Sequence, residues 1–486
     1  MFRKILNLVK QSAVYGVGTI AARAVAFLML PYYSHLLSTK EYGVYALFLV
    51  LVGIMQQVYL HGMDISFVRF SAAVKVDQQK RDLGTVLIQT LWVGGLFSLL
   101  MYFFAAPVAK VVVSTSGPTE IFVTQLCAII LLTDTLGFHF FTYLRIRNKP
   151  AMFSFFKMGN VILNIGLNVL FVGTFKMGVI GAFWAFLLAS TVVLIGLMIV
   201  CRKDVVFAWK WLQVREWIAF GLPNLPSMFF IMAIEFSDRK WIEALMGVDE
   251  AGIYSAGYRI GMLMNMVAQA FRYAWQPFFM QTEKDDDAKA TFARVLTYYM
   301  LFAGWVWVGS SLLLGYVLKM PLPGIGSLIH PSFWAGFGIF PIIMLAHIFN
   351  GIYANFMVGI YVQKKTKIIP LVVGVAAIVN IVGNGLLIPI YGYMASAWLT
   401  VLSYAIIAVG VYLYIAPRYK VPYEWGRIAR IVVTSGMAYG IGMIFENDYA
   451  WIPRAVVLIA LPALWYVYVL SAEEKEAISR KLGSTK

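Results

Sequence analysis

Arg23 stands in the stretch GTIAARAVAF, near the centre of an apolar run from Val9 to Leu37. A guanidinium so deep cannot easily reach water, and an ionisable residue inside a bilayer is costly enough to mark either function or pairing. Its planar fork matches phosphate oxygens with paired hydrogen bonds, so it suits capture of a phosphate group in a cavity. The structural reading is a buried ion pair or a contact with carbonyls. Arg259 repeats the type inside a later span, the eighth, and Arg272 lies near that span's other end, where a basic flank is ordinary. Asn265, Gln269 and Arg272 recur at i, i+4, i+7, one face of a helix. Gln57, His61 and Asp64 do the same in the second span, with Arg69 just beyond. Asp134 is a mid-span carboxylate that would partner Arg23 or hold a proton or sodium ion.

Glu235, Asp238 and Arg239, spaced i, i+3, i+4 near the end of the seventh span, read as an ion pair that stabilises a turn or controls a gate. Pro223 and Pro226 earlier in that span supply no backbone donor, so they should bend or break it and form a hinge. His139 and His347 have apolar neighbours and read as hydrogen-bonded packing residues. Cys127 and Cys201 imply neither a disulfide framework nor a metal cluster. No P-loop is present, so ATP hydrolysis in this chain is not expected, and no cofactor or metal is called for.

These residues sit in a chain of 486 residues that is 61% hydrophobic and 13% charged, with a mean hydropathy of +0.78. Apolar runs of roughly 20 residues recur throughout, each able to cross a bilayer as a helix. We read fourteen transmembrane helices, centred near Ala22, Val50, Gly95, Leu131, Ile165, Leu188, Phe229, Met264, Val308, Phe349, Ala376, Ile406, Gly440 and Ala460. The first run is too long for a signal peptide and lacks a convincing cleavage site.

About 30 of the 39 Lys and Arg residues fall in alternate linkers, a set that includes Lys157 in the 145–157 linker. The net charge of +16 is therefore a topology signal that places both termini in the cytoplasm, with a secondary attraction for anionic lipid. Nucleic acid is not an expected partner. No linker is long enough to fold around its own core, so function must reside inside the helical bundle.

The chain also repeats itself. LLSTKEYGVYA (36–46) aligns without a gap with LMGVDEAGIYS (245–255), pairing Glu41 with Glu250, Gly43 with Gly252 and Tyr45 with Tyr254. NIGLNVLFVGTFKMGVIGAFWA (164–185) resembles NIVGNGLLIPIYGYMASAWL (380–399), pairing Asn164 and Asn168 with Asn380 and Asn384 across a small indel. An offset of six helices gives both copies the same orientation, a parallel repeat about an axis along the membrane normal. The expected fold is all-α and polytopic, two parallel-repeat six-helix bundles around a central cavity plus two C-terminal helices. The expected organisation is a bundle over 1–201, a cytoplasmic linker over 202–215, a second bundle over 216–416, and two further helices with a tail over 417–486. The duplicated asparagines share a helix face, and amides of this kind commonly join helices inside membranes.

SDRKWIEALMGVDEAGIYSAGYRIGML (237–263), AWQPFF (274–279), LLSTKEYGVYAL and the N-x-x-x-N…G-x-x-G-A pattern at 164–182 together resemble the Wzx-like polysaccharide-biosynthesis flippases. These belong to the multidrug/oligosaccharidyl-lipid/polysaccharide exporter (MOP) superfamily. The resemblance covers nearly the whole chain, and the two extra spans are similar to the fourteen-helix branches that include lipid II flippases. It implies a non-enzymatic transporter of the cytoplasmic (inner) membrane that moves undecaprenyl-diphosphate-linked sugars to the outer leaflet by alternating access. It also implies arginines of helices one and eight in a cationic cavity, and polysaccharide polymerase machinery as a partner. Coupling would be to membrane potential, H+ or Na+. A multidrug/cation antiporter of the same superfamily is the alternative, although it would want deep carboxylates rather than arginines. A membrane-embedded glycan polymerase or ligase would be expected to carry a longer outer loop.

Overall fold

A computed structural model of the chain describes residues 29–483 apart from 73, 284, 323–325, 364 and 446–449. Arg23 and the centre of the first predicted span lie outside the described residues. The helices run in order α1 (29–36), α2 (Thr39–Leu60), α3 (Met63–Ser71), α4 (Val76–Phe103), α5 (Ala105–Val113), α6 (Pro118–Ile146), α7 (Pro150–Asn168), α8 (Gly178–Cys201), α9 (Trp211–Gly221) and α10 (Leu225–Met246). They continue with α11 (Val248–Gly261), α12 (Leu263–Thr282), α13 (Ala288–Gly309), α14 (Gly315–Lys319), α15 (Phe340–Val362), α16 (Ile368–Tyr391), α17 (Tyr393–Ile415), α18 (Trp425–Ile444), α19 (Trp451–Tyr468) and α20 (Ala472–Gly483).

Among the described residues ten helical rods are long and apolar enough to cross a membrane. They are α2, α4, α6, α7 with its extension to Thr174, α8, α13 with its extension to Lys319, α15, α16, α17 and α19. Of the remaining predicted centres, the seventh falls on α10, which carries Glu235, Asp238, Arg239, Lys240 and Glu243. The eighth falls on α12 and the thirteenth on α18. This is a mostly helical, multi-pass membrane protein. Large apolar side chains on its helices face outward without a protein partner, as Trp92, Phe103 and Ile459 do; in water such a surface would aggregate, but lipid solvates it.

The chain packs as two units, one from residues up to Ala256 with Ile369–Thr400, the other from Gly257–Ile368 with Val401 onward. In the first unit α6 is central, packed by α2, α4, α5 and α8. Its core gathers Phe48, Tyr59, Leu126, Leu131 and Phe183, all fully or nearly fully buried. In the second unit α12 packs on α15, and α13 packs on α18 and α15.

Two breaks differ from the straight spans predicted, and a third falls at the prolines expected to break one. α2 ends at Leu60 because His61 and Gly62 take left-handed conformations, with φ of 35° and 78°. A Cβ on Gly62 would stand 2.4 Å from the Gly221 carbonyl carbon, so only glycine permits this turn to meet α9. Gln57, His61 and Asp64 therefore do not share one helical stripe. The eighth span is two helices, interrupted at Met262, with Arg259 on α11 and Arg272 on α12. Pro223 lies in a 3-10 turn, Leu222–Asn224, between α9 and α10, and Pro226 in the first turn of α10. There their missing donors cost no helical hydrogen bond.

Polar side chains tie α20 to the second unit. Arg427 bonds Glu424 at 2.9 and 3.0 Å and Glu474 at 2.6 Å, and Tyr298 Oη donates to Glu474 at 2.6 Å. Burial alone would push the Glu474 carboxyl up, but hydrogen bonds from Tyr298 and the Ser471 N–H, with the Arg427 guanidinium, hold it below its usual range. A carboxyl depressed in this way stabilises the folded state above its unfolded value, near pH ~4.3, and loses that contribution as pH falls through the folded value. Thermal unfolding of the purified protein should show a drop in Tm below that pH that is shallower in E474Q. Replacing Arg427 with Ala should cost about 1–3 kcal/mol at neutral pH. Parallel pH curves for parent and E474Q would contradict this assignment.

Candidate functional site

The two copies of the repeated phrase touch each other. Ser38 caps α2 through a box with Glu41, Ser38 N–H donating to Glu41 Oε2 at 2.9 Å and Glu41 N–H to Ser38 Oγ at 3.2 Å. In the second copy Gly247, with φ of 104°, closes α10 by donating to the Ile242 and Glu243 carbonyls, and α11 then begins at Val248. A Cβ on Gly43 would lie 2.1 Å from the Val248 carbonyl oxygen, and one on Gly252 would lie 2.1 Å from that of Thr39. Gly43 and Gly252 are equivalent in the repeat, as are Thr39 and Val248, so the contact is reciprocal in the manner of a two-fold interface. Thr39 Oγ1 donates to Asp249 Oδ1 at 2.6 Å across it.

The asparagine pairs also behave alike. Asn168 Nδ2 donates to Asn164 Oδ1 at 3.0 Å, and Tyr33 Oη donates to Asn168 Oδ1 at 2.6 Å. In the second copy Asn384 Nδ2 donates to Asn380 Oδ1 at 3.1 Å; Ser237 donates to Asn380 and Ser396 to Asn384. Asn168, Asn380 and Asn384 each join one helix to another, the packing role expected of them, while Asn164 bonds Asn168 on its own helix. Gly178 and Gly392, equivalent in sequence, take φ of 57° and 64°. The first copy, longer between its Asn and Gly, accommodates the excess with a π-helical turn, Val169–Thr174.

Asp238 and Arg239 form a buried pair, with Arg239 Nη1 at 3.1 Å from Asp238 Oδ1 and side-chain exposures of 8% and 0%. Arg239 Nη1 also donates to the Glu235 carbonyl oxygen at 2.6 Å, and Tyr254 Oη donates to Asp238 Oδ2 at 2.7 Å. Glu235 thus contributes its main chain to this cluster. Removing one partner of so enclosed a pair leaves a charge uncompensated.

Asp134 faces a hollow of about 290 Å³ between α2, α6, α7 and α8. Lys157, counted by sequence among the basic flanks, lies two turns inside α7 and lines the same hollow, its Nζ 4.2 Å from the Phe141 ring centroid. Its position seven residues after Pro150 makes it read as a flank in sequence, and Pro150 as a helix opener is the signal that places it inside α7. His139 is buried and hydrogen-bonds Thr90 at 2.9 Å, whereas His61 Nδ1 stands 2.7 Å from the Tyr59 carbonyl oxygen. Asp64 opens α3, half-buried, with Arg145 close enough to act on it.

In the second unit Arg272 is half-buried and donates from Nη2 to Asn350 Oδ1 at 2.6 Å. Tyr299 and Tyr353 are near enough to feel its charge. No carboxylate stands within ion-pair distance of it among the described residues. Asn265 and Gln269 precede it on α12; Asn265 is 5% exposed, and its Oδ1 accepts no hydrogen bond from the described residues. Arg259 is half-buried on α11. His347 is buried against the Tyr258 and Tyr404 rings.

These features define a multi-pass α-helical membrane protein whose polar groups are gathered inside its helical units. Residues 34–322, more than half of the chain, match the family described as polysaccharide biosynthesis protein, and the chain belongs to that family. Among solved structures it is similar to the lipid II flippase MurJ in an inward closed conformation. The TM-score is 0.74 at 13% identity, covering 93% of this chain and 98% of that one. A multidrug resistance MATE family transporter of the MOP superfamily in an outward-facing conformation aligns with a TM-score of 0.59 at 13% identity, covering 87% and 96%. An inward-facing one aligns at 0.57 and 13%, covering 88% and 95%. No curated protein matches the sequence. At such identities the likeness establishes the fold alone.

A single methyl group tests the reciprocal glycine contact. Gly252→Ala should force α2 and α11 apart or strain them, at a cost of about 1–3 kcal/mol. Ala251→Gly, next to it on the same helix, should cost no more than a propensity change of about 1 kcal/mol plus a lost methyl contact. Equal thermal stability of Gly252→Ala and the parent would refute the contact.

Proposed function

We propose that this protein is a flippase that moves a polyprenyl-diphosphate-linked oligosaccharide from the inner to the outer leaflet of the cytoplasmic membrane, for assembly of a cell-surface polysaccharide. The observation that carries this reading is Arg272, a half-buried guanidinium held by an amide and neighboured by tyrosines rather than by a carboxylate. Such a group retains donors for a diphosphate, and a cation inside a bilayer without a fixed anion is expensive unless an anion visits it. Arg259 and Arg23 would extend the same cationic path, Arg23 lying outside the described residues. Membership of a polysaccharide biosynthesis family and a fold shared with a lipid II flippase support the cargo class.

In this reading the two six-helix repeats alternate between inward- and outward-open states. The sugars travel through the polar interior while the polyprenyl tail stays in lipid. The reciprocal contact of Gly43 and Gly252 falls on the side that the charge bias assigns to the exterior, so it would close the outer face and part when cargo leaves. The break at Pro223 would serve as hinge, with the Asp238–Arg239 pair holding α10 together beside the gate. A positive-outside potential would favour export of each negative charge by about 2.3 kcal/mol per 100 mV. A cation antiporter is disfavoured because Asp64, Asp134 and Asp238 each have a cation nearby, Arg145, Lys157 and Arg239, and the buried Asp82 already accepts from Ser71, Gln78 and Gln213.

Leaflet-specific labelling of lipid-linked sugars in cells depleted of the protein should show them retained on the inner leaflet; unchanged outer-leaflet labelling would reject a flippase. Arg272→Ala should weaken cargo capture about ten- to hundredfold, the worth of one charge-assisted hydrogen bond, without loss of protein from the membrane. Full complementation by that variant would remove Arg272 from the cargo path.

A further inference from the structure

The Asp134 hollow has the donor chemistry of a site for a monovalent cation. Its wall carries the Asp134 carboxylate, the amides of Gln56 and Asn160 and the hydroxyls of Thr133 and Ser190. Gln56 spends its amide nitrogen on Thr135 Oγ1 at 3.0 Å, which leaves its oxygen outside that bond. Ser190 is 5% exposed, and its Oγ is near enough to Asp134 to act on the carboxylate. Hard oxygen donors around one negative charge are what an alkali cation takes from a protein.

The same wall also carries an ammonium group. Lys157 is the cation that acts on Asp134, whereas Arg145 acts on Lys157 but not on Asp134. The two charges share the hollow without meeting as a direct ion pair, and its volume of about 290 Å³ leaves room for several waters at ~30 Å³ each. The Phe141 ring, 4.2 Å from Nζ, steadies the ammonium from one side. The charges on this wall therefore cancel. A sodium ion entering beside Lys157 would leave the hollow with a net positive charge in a medium that penalises it.

We propose that Lys157 is the resident cation of this carboxylate site, a tethered ammonium standing where a coupled metal ion would otherwise bind. The hollow then takes up no sodium of its own and passes between transport states without net charge. Whatever drives transport acts elsewhere in the protein. The inference rests on the transport reading only in that consequence; the occupancy of the hollow is tested without any glycan, so the two fail separately.

The test is equilibrium binding of radioactive sodium to the purified full-length protein in detergent, against a choline chloride background. Lys157→Gln should bind about one sodium equivalent more than the parent and should gain thermal stability in sodium over choline. Asp134→Asn combined with Lys157→Gln should return to the parent's value, and Lys157→Arg should equal the parent. A folded Lys157→Gln protein with no added sodium would overturn the proposal. If Lys157→Gln does not survive extraction, the uncharged double variant decides: sodium binding equal to the parent supports a tethered cation, and a lower value shows that Asp134 already holds sodium beside Lys157.

Discussion

Charge inside a hydrocarbon slab has to be answered by an opposite charge, by a cavity that holds water, or by a ligand that comes and goes, and each solution appears in this protein. Asp238 and Arg239 answer one another directly and are sealed by Tyr254. Asp134 and Lys157 answer one another across a hollow. Arg272 is answered by an amide alone. The desolvation penalty of several kcal/mol per ion makes these three situations physically different. In the first the two charges are in direct contact and sealed from solvent, and in the second they face the same hollow without touching. The third leaves a guanidinium with an amide and no carboxylate beside it among the described residues.

The second constraint is close approach. Where α2 and α11 begin, two glycines bring each helix against the other's first-turn carbonyl. The missing Cβ atoms permit a contact that any side chain would prevent, and small residues serve helix packing in membranes for the same reason. The asparagine pairs do complementary work deeper in the helices, where an amide must find a partner because lipid offers none. Both devices recur in each copy of the repeated sequence, so what joins one copy to its neighbours has a counterpart in the other.

Legibility of the site from sequence followed the range of the interaction. The i, i+4 asparagines could be read as helix-joining because both members lie on one helix, but their partners Tyr33, Ser237 and Ser396 come from elsewhere in the chain. The Gln57, His61, Asp64 spacing suggested a stripe that the turn at His61–Gly62 interrupts, and the reason for that turn, a meeting with Gly221, is more than 150 residues away. Lys157 looked like a flank because charge counting assigns loops without knowing where a helix begins.

Apolar run lengths were enough to establish a helical, multi-pass membrane protein, and the resemblance carried by the 237–263 and 164–182 motifs pointed to its polysaccharide biosynthesis family. These signals are local or additive: apolar length, basic excess and motif spacing need no knowledge of which helix lies beside which. Folding in three dimensions decided which cation answers which carboxylate, where polar space remains, and that the two copies of one phrase touch at their glycines. Those outcomes depend on distances of a few ångströms between residues remote in the chain, and the energy of a buried charge or a missing Cβ changes over that same scale.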